Sequence, residues 1–441
     1  MSGADALLAM GDSALASLAR GDAEVIISDT RSELTRFASN EIHQSVAERF
    51  RHIRVRLIDG GRTGVGEVRG HDGRAIELAF AAAEDSRRVT AATEVSPLPA
   101  PSPEDRDLPV AFAEATAAAT PEERAELVAV VTDAAGAGGV NAYGALSTST
   151  TTTAIVTSAG LRRSATSTQA SLVSVARGDD GGGYASRHSA DIAALDVTGL
   201  AAEVADTCER NQGATAIDPG DYEVILSPYA VTDLLEHLAW VGFSALAVQE
   251  HRSFMHLGEK LMSDMITIRD DARTSEVFPF PFDDEGVSTQ PVTLIDHGVC
   301  SAVVYDTPTA LQDGVTSTGH SLPQPNTWGP LPRHVAMDAG GTPWREMAGT
   351  VSRGLYITRF WYVRDVHPLR TVITGMTREG TFLIENGAIT RPVKDLRFTQ
   401  SIVEALANVV QVSRERRLEL GEGESGVLSP WLHIGRFSFT S

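Results

Sequence analysis

The chain has 441 residues, enough for two or three domains with a sizeable buried core. Its 58 acidic against 37 basic residues leave a formal charge of −21, which argues against nucleic acid and anionic membrane surfaces as partners, since phosphates are bound by Lys and Arg. At 42% hydrophobic and 22% charged, the composition is that of a soluble globular protein.

The two cysteines, Cys208 and Cys300, are far apart and form no CxxC pair, so neither a disulfide framework nor a thiolate zinc knuckle is expected. Cys300 sits in an apolar strand setting that suits a small buried thiol. No positive charge precedes Arg20 and no apolar leader core follows, so a cytoplasmic location is expected. The longest apolar stretch, Leu238 to Val248, is far shorter than the ~20 residues a bilayer crossing needs.

Taken in order, residues Ala4 to Leu18 have helical spacing and end at Gly21-Asp22. Strands are predicted over 24–28, 34–40 and 52–58, the last alternating polar and apolar side chains. Asp59-Gly60-Gly61-Arg62 supplies a hairpin turn, because glycine accepts the positive φ such turns require. The chain returns over 64–68, and Asp72 can cap a helix over 75–90. Ser96 to Pro109 holds five prolines among small and acidic residues, a stiff linker that would leave the first unit somewhat independently placed.

A second unit opens with a helix over 121–135, with Thr120 as its cap and Pro121 at the tolerated first position. Tyr143 to Val175 is rich in Thr, Ser and Val and reads as successive strands, the Thr148–Thr153 tract included, since β-branched residues suit a pleated surface. A loop over 178–183 and a helix over 200–210 complete it. The third unit begins at the Asp218-Pro219-Gly220 turn and the strand 222–226, then runs through an apolar helix from about Ala230 to Val248. Beyond lie strands over 292–295, 302–305, 355–363 and 381–385, with Glu385-Asn386-Gly387 as a hairpin turn. A helix over 401–415 and a strand over 431–439 close the chain. The expected organisation is an N-terminal α/β domain (1–95), the linker (96–110), a middle α/β domain (111–215) and a C-terminal β-rich domain (216–441). The fold class is α+β, with N-terminal α/β units followed by a larger, mostly antiparallel β-rich domain.

Several pieces, in order, resemble one family. They include Arg36-Phe37-Ala38-Ser39-Asn40, Gly60-Gly61-Arg62-Thr63-Gly64 and Ile217 through Leu226. Further on come Arg252-Ser253-Phe254 with Leu257-Gly258-Glu259-Lys260, Asp296-His297-Gly298, Ser317-Thr318-Gly319-His320, and Ile384-Glu385-Asn386-Gly387 through Lys394. Together they resemble the TldD/PmbA family, specifically its PmbA (TldE) branch, over nearly the whole chain. In that family TldD-type chains are zinc peptidases carrying HExxxH, where a helix presents two imidazoles to zinc and the glutamate activates water. TldE-type chains are partners without the motif.

Aligned on Leu234-Leu235, the resemblance puts Glu236 at the first histidine, His237 at the glutamate and Val241 at the second histidine. One imidazole opposite a valine makes no three-ligand catalytic site. The family's zinc also takes a C-terminal cysteine, and residues 421–430 contain none. His251 and His256 repeat the histidine spacing with Arg252 in the glutamate's place, but a guanidinium that stays protonated is no general base. They remain weak metal candidates. His297, His320, His334 and His367 fall on strands or loops and read as ordinary polar residues. Asp270-Asp271 and Asp283-Asp284 read as solvated loop carboxylates. Phosphate-cradling GxxxxGK[ST] and GxSxG motifs are absent from the sequence.

The resemblance thus implies a non-catalytic subunit of a cytoplasmic TldD/TldE-type zinc metallopeptidase. It would hold no cofactor itself, pair with an HExxxH-bearing TldD-like subunit that carries the zinc, and help admit extended or unfolded polypeptide. The alternatives are an independent hydrolase with a non-standard metal site, or a scaffold that self-associates as a homodimer.

Overall fold

A computed structural model describes residues 3–18, 20–71, 73–93, 95–101, 109–421 and 426–441. Asp72, expected as a helix cap, lies outside the described residues, as do 102–108 of the proline-rich stretch.

The first half of the chain builds one antiparallel sheet with helices on one face. In order it comprises α1 (Gly3–Leu15), β1 (Asp22–Ala38), β2 (Glu41–Asp59), β3 (Arg62–Arg69), α2 (Gly73–Val89), α3 (Glu114–Ala118), α4 (Pro121–Ala137), β4 (Asn141–Thr157), β5 (Arg162–Arg177), β6 (Gly182–Ser189) and α5 (Val197–Arg210). The strand order is β3-β2-β1-β4-β5-β6. Residues 24–28 and 34–40, expected as two strands, are parts of the single 17-residue β1. The intervening Asp29, Arg31 and Glu33 look like a break in the sequence, yet each finds an opposite charge: Asp29 pairs with Arg49 and Arg51, and Glu33 with Arg124 and, within the strand, Arg31.

β1 pairs with β4 from Glu24↔Thr157 to Phe37↔Gly144, so the stretches before and after the linker share one sheet. The looseness expected of the first unit is therefore overturned by a ladder more than a dozen residues long. Asn40 reinforces the joint: its side chain donates to Val140 O (2.9 Å) and accepts from Ala142 N (2.7 Å). On the far side, Gly64 and Gly66 let β3 lie against the backbone of α2, where a Cβ would collide with the carbonyls of Ala83 and Ala79. α4 begins as the sequence predicts, with a capping box between Thr120 and Glu123.

The remainder comprises β7 (Gly220–Leu226), α6 (Pro228–Val241), α7 (Ala245–Gln249), β8 (Ile268–Asp270), β9 (Val292–Asp296), β10 (Val299–Cys300), α8 (Thr307–Asp313), β11 (His334–Met337), β12 (Arg353–His367), β13 (Val372–Glu385), β14 (Ala388–Pro392), β15 (Arg397–Ser401), α9 (Ile402–Ala407), β16 (Val409–Leu420) and β17 (Gly426–Phe439). The pairings β7–β12–β13–β15–β17–β7 form a closed ring. Phe360, Phe398, Phe437 and Phe439 fill it in mutual ring contact, with Phe360 and Phe398 centroids 4.4 Å apart. The mixed α+β architecture with a β-rich C-terminal part agrees with the sequence.

Two predicted helices differ. The apolar helix expected to reach Val248 stops at Val241, because Gly242 packs directly under the Phe254 ring and Ala245 N turns to bond Val304 O (3.0 Å). The helix expected over 401–415 is one short turn, α9, capped by Ser401. From Val409 the chain pairs with β17 instead, as its β-branched Val409, Val410 and Val412 favour.

The two carboxylate pairs expected to be solvated are partly buried. Asp270 is sealed, accepting from His320 Nε2 (2.9 Å) and His334 N (2.7 Å). Asp283 accepts backbone N–H groups from Glu285, Val287 and Ser321 at 2.8–3.0 Å. It belongs to a buried acidic junction where the buried Glu24–Arg56 pair (2.9 Å) of the first sheet meets Glu285 and Asp306 of the second half. Burial lifts Glu285 to about 7, against the hydrogen bond from Thr307 N. Burial, with the charge of Glu285, also holds Asp283 well above its ordinary value. A carboxyl whose folded pKa is raised adds stability below its unfolded value, and that stability is lost as pH rises through the folded one. Glu285→Gln should therefore gain on the wild type by on the order of 1 kcal/mol or more at about pH 8 but not at about pH 5. Urea unfolding at the two pH values measures it; equal gains at both would refute the assignment.

Candidate functional site

α6 is apolar nearly all round, with Ala230, Val231, Leu234, Leu235 and Leu238 buried. Its start is fixed to β12, because Ser227 N donates to Ile357 O (3.0 Å) and Ser227 Oγ to Thr358 O. Thr232 Oγ1 and Ser429 Oγ, 2.9 Å apart, tie its middle to β17. What remains is one stripe at helical spacing: Asp233, Glu236, His237 and Trp240. This stripe faces a groove whose opposite wall is the outer half of β12.

The groove comprises two adjoining cavities of about 510 and about 680 Å³ that share His237, Trp240, Val363 and Arg364. The first is lined by Tyr184 of β6, Tyr229, Asp233 and Glu236 of α6, Arg359 to Val363 of β12, and Glu419 to Gly421 at the end of β16. The second adds Val241, Arg252, Trp328, Asp365 and Leu369. Exposed aromatics crowd the rim: Trp240 and Trp328 meet edge-to-face at 5.7 Å, and Trp361 and Tyr362 are 45% and 69% exposed. Tyr362 holds φ of 57°, a costly backbone for a bulky side chain, at a register shift in the β12–β13 ladder. β7 accompanies β12 only over Gly354–Ile357, so among the described residues the outer half of β12 is laddered to β13 alone.

Two ionic clusters hold the walls. Buried Glu379 takes Arg359 (2.6 Å), Arg177 (2.6 Å) and Arg378 (3.0 Å), while the Arg359 guanidinium also lies 4.2 Å over the Tyr184 ring. Glu203 of α5 takes both guanidinium nitrogens of Arg417 (2.8 and 3.0 Å) and Arg187 (2.8 Å), and accepts the Tyr229 hydroxyl (3.0 Å). This second cluster fixes the first sheet against α6 and β16. Burial, helped by the charge of Glu419, pushes the Tyr184 hydroxyl up to about 12 and Tyr229 well above its ordinary value, so both remain neutral phenols.

The sequence-predicted positions separate here. Glu236 and His237 face the groove, whereas Val241 is half-buried, packed against the core and touching only the second cavity. The Glu236 carboxylate lies against Gly421. His237 Nδ1 pairs with Asp365 Oδ1 at 3.1 Å. Burial opposes the charged imidazole, but the hydrogen bond and charge of Asp365, with Asp233 and Glu236 beyond, outweigh it and lift the pKa above the usual histidine value. His251, at φ 54°, and His256 lie exposed beyond α7, off the groove. His320 is hydrogen-bonded to Asp270, the His334 ring lies 3.5 Å from the same carboxylate, and Cys300 is buried in β10. Among the described residues, no three His, Cys, Asp or Glu side chains are grouped as a metal ion requires. The donors at the three aligned positions do not fit zinc, so no chemical step is routed through a metal.

Tyr184, Arg359, Trp361 and Glu419 were not singled out from sequence. They come from three strands far apart in the chain; only the adjacent Trp361-Tyr362, two large aromatics on successive strand positions, carries a local signal that one must be exposed.

The chain matches the model of the PmbA/TldA metallopeptidase C-terminal domain over residues 219–441, domain 1 over 23–86 and the central domain over 99–211. It belongs to the PmbA/TldD family. A metalloprotease TldD homolog of Haemophilus influenzae is 30% identical over 174 residues, 38% of this chain and 36% of that one. Metalloprotease PmbA of Escherichia coli is 25% identical over 217 residues, 48% of this chain and 45% of that one. These alignments thus span less than half of the curated relatives' length. In structure the chain is similar to TldE from Thermococcus kodakarensis, with a TM-score of 0.87 at 20% identity over 99% of both chains, a likeness of fold. No helix among the described residues is long and apolar enough to cross a membrane.

His237 yields a pH test. With its folded pKa above the unfolded value, it adds stability below about pH 6.5 that is lost as pH rises through the folded value. Asp365→Asn should bring the imidazole NMR titration of His237 back down and remove that stability; an unmoved titration would show that the pair does not set it.

Proposed function

We propose that this chain is the metal-free subunit of a TldD/TldE-type zinc metallopeptidase in the cytoplasm, pairing with an HExxxH-bearing TldD-like subunit that carries the zinc. One observation carries the reading: the α6 face aligned with the family's zinc ligands presents Glu236, a His237 already engaged by Asp365, and a core-packed Val241. The groove beside that face is retained and furnished with exposed aromatics, which supports binding without catalysis. Extended or unfolded polypeptide would lie along the outer half of β12, adding a strand through backbone hydrogen bonds, while Trp240, Trp328, Trp361 and Tyr362 take side chains. Backbone pairing of this kind is tolerant of sequence, as peptide maturation or turnover demands.

Co-expression with the HExxxH-bearing relative should yield a stable complex whose peptidase activity disappears when this chain is omitted. Full activity of the relative alone, with no complex formed, would defeat the proposal. The same preparation separates the other readings. This chain alone should retain zinc well below one equivalent by elemental analysis, unchanged in His251→Ala and His256→Ala. Stoichiometric zinc lost in either variant would favour an independent hydrolase, and a homodimer indifferent to peptide and relative would favour a scaffold.

A further inference from the structure

The wall of the first cavity includes Glu419, one oxygen of which the protein itself leaves unused. Glu419, at the end of β16, is 3% exposed. Its Oε2 takes the Ser186 hydroxyl at 2.5 Å and lies 3.5 Å from His188 Nε2. Its Oε1 is buried and has no hydrogen-bond partner. A carboxylate oxygen stripped of water and left without a donor is costly, on the order of the full desolvation of that group. In a wall where every other buried carboxylate oxygen of the ionic clusters is engaged, a single open acceptor marks the place of a donor supplied from outside.

The surroundings define that donor. Asp233, Glu236 and Glu419 bring three carboxylates to the lining of this cavity. The cations nearby are already committed: Arg359 to Glu379, His237 to Asp365, and Arg417 to Glu203, while Arg364 stacks 4.6 Å over Tyr362. Tyr184 and Tyr229 remain neutral phenols beside Glu419 and add no competing charge. The same lining includes the apolar Trp240, Phe360, Trp361 and Val363, which suits an alkyl chain carrying a charged end. No grouping of three carboxylate or imidazole ligands offers itself to a metal ion among the described residues.

We infer that the cavity between α6 and the outer half of β12 binds a primary alkylammonium group of a peptide, lysine side chain or free N-terminus, with Glu419 Oε1 as its acceptor. The ammonium has three donors to distribute and a compact charge, so it can satisfy Glu419 Oε1 while sharing the field of Glu236 and Asp233. The inference rests on the reading of this groove as a peptide site and names what one of its cavities selects.

Isothermal titration of the purified chain with three blocked tripeptides tests it. Acetyl-Ala-Lys-Ala amide offers only the side-chain ammonium, Ala-Ala-Ala amide only the α-ammonium, and acetyl-Ala-norleucine-Ala amide is the neutral isostere. At least one ammonium peptide should bind about tenfold or more tightly than the norleucine peptide, as a charge-assisted hydrogen bond to a desolvated carboxylate implies; which one does so identifies the source. Glu419→Gln should erase the preference while leaving norleucine binding in place. The comparison among peptides on the wild type holds even where that variant folds poorly. Equal binding of all three peptides would overturn the ammonium assignment and leave the groove reading standing. Binding of none would overturn both.

Discussion

The groove exists because β17 is shared. Its first residues ladder in parallel with β11 at Gly426–Leu428, its stretch from Gly426 to Ile434 with β16, and its second half with β7, before Phe439 reaches β15. One strand thereby closes the ring, roofs the phenylalanine core and provides the surface on which α6 lies. Closure leaves few backbone groups unpaired, which is how a large sheet avoids sticky edges. Against that background the outer half of β12, paired on one side only, is a conspicuous place for another strand. Trp431 anchors the outer face, stacked on Trp344 at 5.0 Å.

Assembly of the binding surface depends on charges buried between parts of the chain that are distant in sequence. Glu203, Arg187, Arg417 and Tyr229 come from α5, β6, β16 and α6, and each polar group answers another. Such clusters cost much to desolvate and contribute little net stability unless completed. Their geometric demand is strict, however, and here it fixes the angle at which Tyr184 and Glu419 enter the cavity. The triple-arginine hold on Glu379 does the same for Arg359 and, through it, for the Trp361 ring, 5.0 Å from that guanidinium. Strain at Tyr362 is tolerated within this rigid frame.

The α6 stripe carries its own electrostatic logic. A catalytic zinc site concentrates positive charge among neutral or anionic ligands. Here the one imidazole on the stripe is favoured in its charged form by Asp365, Asp233 and Glu236, and Asp233 and Glu236 line the groove beside it. The face thus combines a helix stripe, a groove and a sheet edge with carboxylates at its lining.

Local chemistry made much of the fold legible. Turns at Gly60-Gly61 and Asn386-Gly387 take the positive φ expected of them, the Thr120 cap starts α4, and the Thr148–Thr153 tract is a strand. Motif order was enough to place the chain in its family and to put Glu236 and His237 on one helix. These features are decided within a few residues, by backbone sterics and side-chain size. The sequence could not reveal that β1 runs unbroken through Asp29 and Glu33, that residues from Val409 onward prefer a strand, or that Asp270 and Asp283 are buried, because each depends on a partner found dozens to hundreds of residues away. The same holds for Glu419: its character as an open acceptor arises only where β6, α6, β12 and β16 meet, since burial and hydrogen-bond satisfaction belong to the assembled surface and not to any stretch of chain.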